Sequence, residues 1–573
     1  MGIMEMLTKP KAPWAQFYPE GSMDIDVPNK TVYKYFEEKA EQFGKKICLD
    51  YYGTKVRYNE LLYKIDVCAK GLYDDGIRKG DVVTICLPNT LEGVIAFFAI
   101  NKIGGVVNLI HPASSENEIR DSINETNSKV IFLIDTNYLK LKSIEKDINI
   151  YRVILVNPCG YMPFITKIRH SIENKMKPKD KNSIYRYWNI FLLRAKKLKY
   201  DNYISEGTKN DPSIILHSGG TTGTPKGVVL TNGNLNYFVE SATICHDYLK
   251  ENDTCFALMP IFHGFGLVHS ILYPLCIGMN VILRPRFDEK EYCRMIVKYK
   301  PQILMGVPSL FESIVTEWKN KKIDLSFVKC VMIGGDVLKP DLRKKLNSFL
   351  RKNNASIKAI DGYGLSEAVC GVAIGKVELP KEGTIPMPGV YVGIFSENDE
   401  ELPYGEEGEI CVYGPTVMQG YYKNKEETKI ALHTHKDKRI WLHTGDLGSM
   451  DEDGILTYCS RLKRMIISSG YNVYPNRIEK LIETHPSVSA CIVVGVPHKH
   501  KMEVPKAYIV LKNKNISKNA LELEFKKMCK KNLPKYSWPY EYEFLDEMPK
   551  TKVGKVDFNR LQKGNLKEEN EEK

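Results

Sequence analysis

The densest chemistry in this sequence is a run of glycines and hydroxyls closed by a lysine, Leu216-His-Ser-Gly-Gly-Thr-Thr-Gly-Thr-Pro-Lys-Gly227. Gly219, Gly220 and Gly223 let backbone N–H groups turn toward an anion with no Cβ in the way. Ser218, Thr221 and Thr222 add hydroxyl donors, and Lys226 adds a fixed positive charge. The set suits a polyphosphate. It is not a Walker A loop, because Lys226 follows Pro225 and is followed by Gly227 rather than by Ser or Thr. A second cluster, His433, His435 and His443, invites a metal reading. Its spacing fits no ligand pattern and no neighbouring cysteine or carboxylate completes a set, so no metal is expected there.

The glycine-rich loop resembles the signature of adenylate-forming enzymes, the superfamily of acyl-CoA synthetases, firefly luciferase and peptide-synthetase adenylation domains. It departs mildly: His217 stands where an aromatic is commoner, Ser218 replaces Thr and Gly219 replaces Ser. Further segments resemble the family in its own order. Met259-Pro-Ile-Phe-His-Gly-Phe-Gly-Leu267 is similar to the stretch beside the acyl pocket, which makes His263 a gate for the carboxylate and the thiol path. Amino-acid-activating relatives carry an Asp there to bind the substrate ammonium, and this stretch has none. Gly334-Gly335-Asp336 is implied to lie against the adenine and the acyl group. In Asp361-Gly-Tyr-Gly-Leu-Ser-Glu367 the resemblance sets Asp361 and Gly362 near the adenine amino group and Tyr363 on its face. In the same segment Ser366 keeps a hydroxyl, and Glu367 is an oxygen ligand suited to Mg²⁺. Trp441-Leu-His-Thr-Gly-Asp446 is similar to the ribose segment, with Asp446 accepting from two hydroxyls. Arg461 then reaches ribose and phosphate, Lys463 takes the hinge position, and Gly470 gives room where a loop approaches the pantetheine path. Pro549-Lys-Thr-Lys-Val-Gly-Lys555 matches the terminal pattern whose last lysine is catalytic.

What the resemblance implies is an ATP-dependent ligation of a carboxylic acid to coenzyme A through an acyl-AMP intermediate. Lys555, Glu367, Thr222 and His263 serve the reacting atoms, Glu367 holds Mg²⁺, and ATP and coenzyme A are co-substrates. Within the superfamily the chain resembles bacterial medium- and long-chain fatty acyl-CoA ligases. That finer likeness rests on Pro13-Trp-Ala-Gln-Phe-Tyr-Pro-Glu20, on a basic insertion before the loop, and on Gly264 and Gly266, which leave space for an alkyl chain. The same chemistry on an aryl or bile acid, or with an acyl carrier protein, is the nearest alternative. A non-catalytic acyl or nucleotide binder is an alternative of another class, disfavoured by the intact Glu367 and Lys555.

Elements must hold these residues together across most of the 573-residue chain. Thr31 is placed to cap a helix in which Val32, Phe36, Ala40 and Phe43 recur at helical spacing. Strand-length apolar runs follow at 83–87, 130–134, 153–156, 214–216 and 331–335, separated by helix-like segments. That alternation predicts α/β layers with buried sheets. The expected architecture is a large multi-lobed N-terminal domain of layered sheets and helices (1–460), a hinge at 461–464, a small mobile α+β domain (465–563) and a disordered tail (564–573). The hinge is placed after the turn Asp451-Glu-Asp-Gly454 and the short strand-like run beyond it.

The 14 cysteines are scattered with no Cys-x-x-Cys pair, which reads as reduced thiols in a cytoplasmic protein. Net charge is +12, partly from the basic stretch 166–181 and from Tyr187-Trp-Asn-Ile-Phe-Leu-Leu-Arg-Ala-Lys-Lys-Leu-Lys199. Trp188, Phe191, Leu192 and Leu193 beside those charges leave open a peripheral contact with an anionic membrane on its inner face; a solvated surface insertion is the plainer reading. No nucleic-acid motif accompanies the charge.

Overall fold

The structure is a computed structural model that describes residues 10–162, 184–218, 226–285, 288–319, 321–468, 471–498, 502–513, 516–550 and 556–564. Thr31 caps the helix Val32–Phe43, its hydroxyl accepting from the Lys34 N–H at 3.0 Å. Val32, Phe36 and Ala40 point into the core, and the Phe36 ring stacks on Phe98 at 4.2 Å. Phe98 belongs to the helix Leu91–Lys102, which is buried along its whole length. A helix apolar nearly all round has no solvent face to keep polar.

All five apolar runs form strands: Val82–Cys86, Val130–Ile134, Arg152–Val156, Pro212–Ser218 and Cys330–Gly334. Among the described residues they enter two large, mostly parallel sheets of eight and nine strands. Parallel strands covered on both faces read as continuous apolar runs rather than as alternating ones.

Two features of these sheets position chemistry. The eight-stranded sheet turns antiparallel at one end, where Pro212–Ser218 pairs with Lys226–Thr231 and Ser218 sits opposite Lys226. In the nine-stranded sheet Cys330–Gly334 runs parallel to Ala359–Tyr363, with Gly334 beside Gly362 and Ile333 beside Asp361. A third sheet is antiparallel and carries Tyr391–Phe395, Gly408–Tyr413, Leu432–Thr434, Ile440–Met450 and Leu456–Arg461.

From Ile466 onward the chain builds a smaller α+β unit. Its sheet includes Val488–His498 and Met502–Leu511, and the helices Pro475–Glu483 and Lys518–Asn532 accompany it. Ile466, Val473, Ile478, Val493, Ile509 and Phe525 form a core of its own. The expected architecture therefore holds: a large α/β N-terminal domain followed by a smaller α+β domain. Polar contacts join the two, with Asn476 donating to the Cys459 carbonyl at 2.9 Å, Arg477 paired with Glu407 at 2.6 Å and Lys339 with Glu483 at 2.5 Å.

One surface expectation is corrected. Trp188 and Phe191, half of the membrane-facing set, are buried at 6% and 1% exposure. They pack on Phe132, and Phe191 fills the space a side chain at Gly71 would need. Leu193 alone of the four is strongly exposed. The basic stretch 166–181 and the tail beyond Gly564 lie outside the described residues. Among the described residues no helix is long and apolar enough to cross a membrane.

Candidate active site

The hairpin Pro212–Ser218 and Lys226–Thr231 delivers both ends of the glycine-rich loop. Gly219, Gly220, Thr221, Thr222 and Gly223 lie outside the described residues, as does the Ser218 side chain. The strand entering the loop is fixed from below by a buried polar network. His217 Nε2 meets Asn108 Oδ1 at 2.7 Å, and Asn108 donates to Thr84 and Ser122. Burial lowers the His217 pKa to about 4, so the ring is neutral and its Nε2–H donates to Asn108.

Leaving the loop, Lys226 forms an ion pair with Glu427 and lies 5.0 Å from the centre of the Tyr421 ring. Tyr421 donates its hydroxyl to Glu367 Oε1 at 2.9 Å. Burial and the Glu367 charge both raise the Tyr421 pKa, so it stays a donor. Glu367 is half-buried in the short 3-10 helix Ser366–Ala368, which begins at the predicted Ser366. The loop lysine and the candidate magnesium ligand, far apart in the chain, thus meet through one tyrosine. Nothing in the sequence singled out Tyr421 or Glu427.

A second group converges from two antiparallel strands. Asp446 and Arg461 are direct register partners, which places Arg461 Nε 2.8 Å from Asp446 Oδ1. Tyr363 donates to the other oxygen, Oδ2, at 2.8 Å. Asp446 is 1% exposed, yet its Oδ1 accepts no well-directed hydrogen bond. With the Arg461 charge beside it, this buried oxygen still has room to accept a hydroxyl from a ligand. The turn is shaped for this: Gly445 has φ +68, and its N–H donates to Glu409 at 2.8 Å. Asp361 is a parallel case, since Arg343 pairs with its Oδ2 while its Oδ1 is buried without a hydrogen bond. Gly362 lies beside Gly334, and exposed Gly335 follows at φ +79. These side-chain-free positions leave a flat strip next to Tyr363, whose ring lies 6.0 Å from that of Tyr458.

Burial pushes the Asp446 carboxyl up to about 6, against the opposing influence of Arg461 and Tyr363. Protonation removes the charge and turns one of the two acceptor oxygens into a donor, so the carboxyl holds a pair of hydroxyls far less well. Binding of adenosine, which carries no titrating phosphate, is therefore expected to be flat above that pH and to weaken by about tenfold per unit well below it. Calorimetric titration from pH 4.5 to 8 checks this. A binding curve with no break near the Asp446 pKa, or the same break in Asp446→Asn, contradicts the assignment.

His263 is half-buried, and its Nδ1 accepts from the Phe265 N–H at 3.2 Å. Phe265 opens a π-helical turn, Phe265–Leu272, and its ring lies 3.7 Å from the place a Cβ on Gly334 would occupy. Phe262 packs on His111 at 4.3 Å. Phe265 thus adjoins the glycine strip, while Phe262 lies against His111. The two glycines of this segment do not leave alkyl space, a correction. A Cβ on Gly266 would lie 2.0 Å from the Pro260 carbonyl oxygen, and one on Gly264 would lie 2.6 Å from Cys370 Sγ. They are small because backbone and sulfur press on them.

Lys463 lies in the 3-10 turn Leu462–Arg464, with its side chain outside the described residues; Gly470 and Lys555 lie wholly outside them. The next residue, Arg464, is already held by the small domain through Glu479 and the Phe558 ring. Lys550 and Val556, on either side of the segment bearing Lys555, form a β-bridge. A cavity of about 550 Å³, walled by Val82, Val106, Ile215 and Val229 with Lys79 and Lys425, touches the cluster only through Tyr421.

The rejection of a metal at His433, His435 and His443 also needs correction in its ground. Strand pairing brings Asp399, Glu409 and Cys411 against these histidines, so carboxylates and a thiol do complete sets in space.

Comparison with known proteins gives the family and the fold. The family model described as AMP-binding enzyme matches residues 36–422, and that of the AMP-binding enzyme C-terminal domain matches 477–555. The chain is 31% identical to a long-chain-fatty-acid–CoA ligase of Bacillus subtilis (strain 168), over 98% of both chains. It is 29% identical to 4-coumarate–CoA ligase 3 of Arabidopsis thaliana, over 93% of this chain and 91% of that one. Its fold is similar to that of ATP-bound MatB from Rhodopseudomonas palustris, with TM-score 0.79 at 22% identity, covering 93% and 98% of the two chains.

Proposed function

Because this chain belongs to the AMP-binding enzyme family and is an adenylate-forming ligase, we propose that it joins a medium- or long-chain fatty acid to coenzyme A through an acyl-adenylate, releasing AMP and pyrophosphate. The observation that carries this reading is the meeting of Lys226, Tyr421 and Glu367 at the hairpin that bears the glycine-rich loop, with the Asp446–Arg461 pair close enough for the Glu367 charge to act on both of its members. In the first step a carboxylate oxygen bonds to the α-phosphorus of ATP as the bond to pyrophosphate breaks. In the second the thiol sulfur bonds to the acyl carbon, AMP leaves with its electron pair, and the thiol proton passes to solvent.

The residues divide that work. The Asp446 acceptor suits ribose hydroxyls, and Arg461 beside it suits the α-phosphate. Tyr363 and the strip at Gly334 and Gly362 suit a flat base. His263 and Phe265 flank the strip where the acid would lie. The glycine-rich loop, with Ser218, Thr221 and Thr222, suits the outer phosphates together with Lys226. A half-buried carboxylate facing a phosphate-binding hairpin also fits a hard divalent cation, which takes one or two carboxylates plus substrate phosphates. Glu367 would hold Mg²⁺, which would add positive charge at the phosphates. The small domain would turn about Lys463, bringing Lys555 in for the first step and the Gly470 loop in for the second.

The fatty-acid assignment draws support from the Bacillus relative, matched over nearly all of both chains. The Arabidopsis relative favours an aryl acid as the second reading. Pyrophosphate release over fatty, aryl and bile acids, with and without coenzyme A, separates them. We expect kcat/KM for an alkyl acid to exceed that for 4-coumarate by at least about tenfold, and acyl-CoA to form only with coenzyme A present. Preference for the aryl acid, or transfer to an acyl carrier protein alone, overturns the assignment.

A further inference from the structure

The third sheet brings together side chains that the adenylation chemistry does not use. His443 lies in the strand Ile440–Met450, His433 in the edge strand Leu432–Thr434, and His435 follows that strand. Asp399 comes from the hairpin after Tyr391–Phe395, at φ +56. Three atoms from three chain segments face one another. The Nε2 atoms of His435 and His443 are 2.9 Å apart, and Asp399 Oδ1 is 3.5 Å from His443 Nε2 and 3.9 Å from His435 Nε2. The point equidistant from all three is about 2.0 Å from each, the length of a Zn²⁺ bond to imidazole nitrogen or carboxylate oxygen.

We propose that Asp399, His435 and His443 form a binding site for a late first-row divalent cation, Zn²⁺ foremost. The donor set of imidazoles and one carboxylate selects such an ion over Mg²⁺ or Ca²⁺, which take oxygen. His433 Nδ1 lies 3.7 Å from Asp399 Oδ2, and its ring is 4.1 Å from that of His443.

The surroundings orient the ligands. His443 meets Glu409 Oε2 through Nδ1 at 2.8 Å, which puts the proton on Nδ1 and turns the Nε2 lone pair toward the equidistant point. The His435 side chain is 2% exposed and packs on Phe395 and Trp441. Its Nδ1 makes no hydrogen bond, so Nε2 carries the only polar contact this buried ring has. A hydrogen bond between the two rings accounts for the 2.9 Å separation but not for the carboxylate aimed at both nitrogens. The other oxygen of Glu409 accepts from Gly445 N–H at 2.8 Å, one residue before Asp446. Coordination at His443 therefore braces the turn that presents Asp446, which makes the ion structural.

The full chain, freed of metal by chelation and dialysis, is titrated with Co²⁺ and followed by visible absorption. Zn²⁺ affinity is then read by competition with a chromophoric chelator. One equivalent with the intense bands of a low-coordinate nitrogen–oxygen site is expected. Asp399→Asn and His435→Gln should abolish those bands, and Glu409→Gln should weaken Zn²⁺ binding by about 10–100-fold. Zn²⁺ should raise Tm in the parent and not in His435→Gln. Should His435→Gln fail to fold, loss of the bands in the half-exposed Asp399→Asn is expected on its own. No saturable binding overturns the site, as does binding unchanged in both variants, which would send the ion to others of the 12 histidines.

Discussion

Lys555→Ala is expected to lower acid-dependent pyrophosphate release by about 10²–10³-fold, while thioester formation from supplied acyl-AMP stays within about threefold of the parent rate. The reason is a charge count. Both reactants of the first step are anions. The described cluster offers two cations, Lys226 and Arg461, but sets them beside three carboxylates, Glu367, Asp446 and Glu427. Left to itself this group has an excess of negative charge and opposes a triphosphate. More positive charge must arrive with the substrate or from another part of the chain, and Lys555 is the residue the terminal motif offers. In the second half reaction the attacking thiol meets a neutral acyl carbon and no such charge is needed. Rapid-quench assays of the two half reactions check this. Equal losses in both halves would remove Lys555 from the first step and with it the case for a domain that turns between them.

Glu367→Gln is the second large effect. It keeps the side chain's size and removes its charge, so Tyr421 can still donate to the amide oxygen. We expect kcat for pyrophosphate release to fall about 10²-fold, and the Mg²⁺ concentration for half-maximal rate to rise by at least about tenfold. Activity measured against free Mg²⁺ at saturating ATP gives both numbers. If Mg²⁺ dependence is unchanged while kcat falls, Glu367 acts by positioning Tyr421, and the cation is held elsewhere.

Much of this was legible in the sequence because it is local. A cap at Thr31, five apolar runs of strand length and a glycine-rich loop after a strand each declare themselves within a dozen residues. What was not legible depends on which strands become neighbours. Tyr421 joins Lys226 to Glu367, but it lies 54 residues from the glutamate along the chain, with nothing local to mark it. Asp446 and Arg461 were both singled out, yet their pairing is a consequence of strand register. The same blindness explains the errors. Gly264 and Gly266 announce small volume but not what presses on them. Trp188 and Phe191 sit among lysines in the sequence and among core aromatics in space. The spacing of the histidines could not show that a hairpin some forty residues earlier would aim Asp399 at two of them.

The central claim is that a carboxylate and the α-phosphorus of ATP are brought together at this cluster. It is tested most directly by following the oxygen they come to share. A fatty acid labelled with oxygen-18 in both carboxyl positions is incubated with enzyme, ATP, Mg²⁺ and coenzyme A, and the nucleotide product is weighed by mass spectrometry. The account predicts AMP carrying one labelled oxygen per turnover and thioester carrying the other. Unlabelled AMP, or label in ADP or inorganic phosphate, would contradict it.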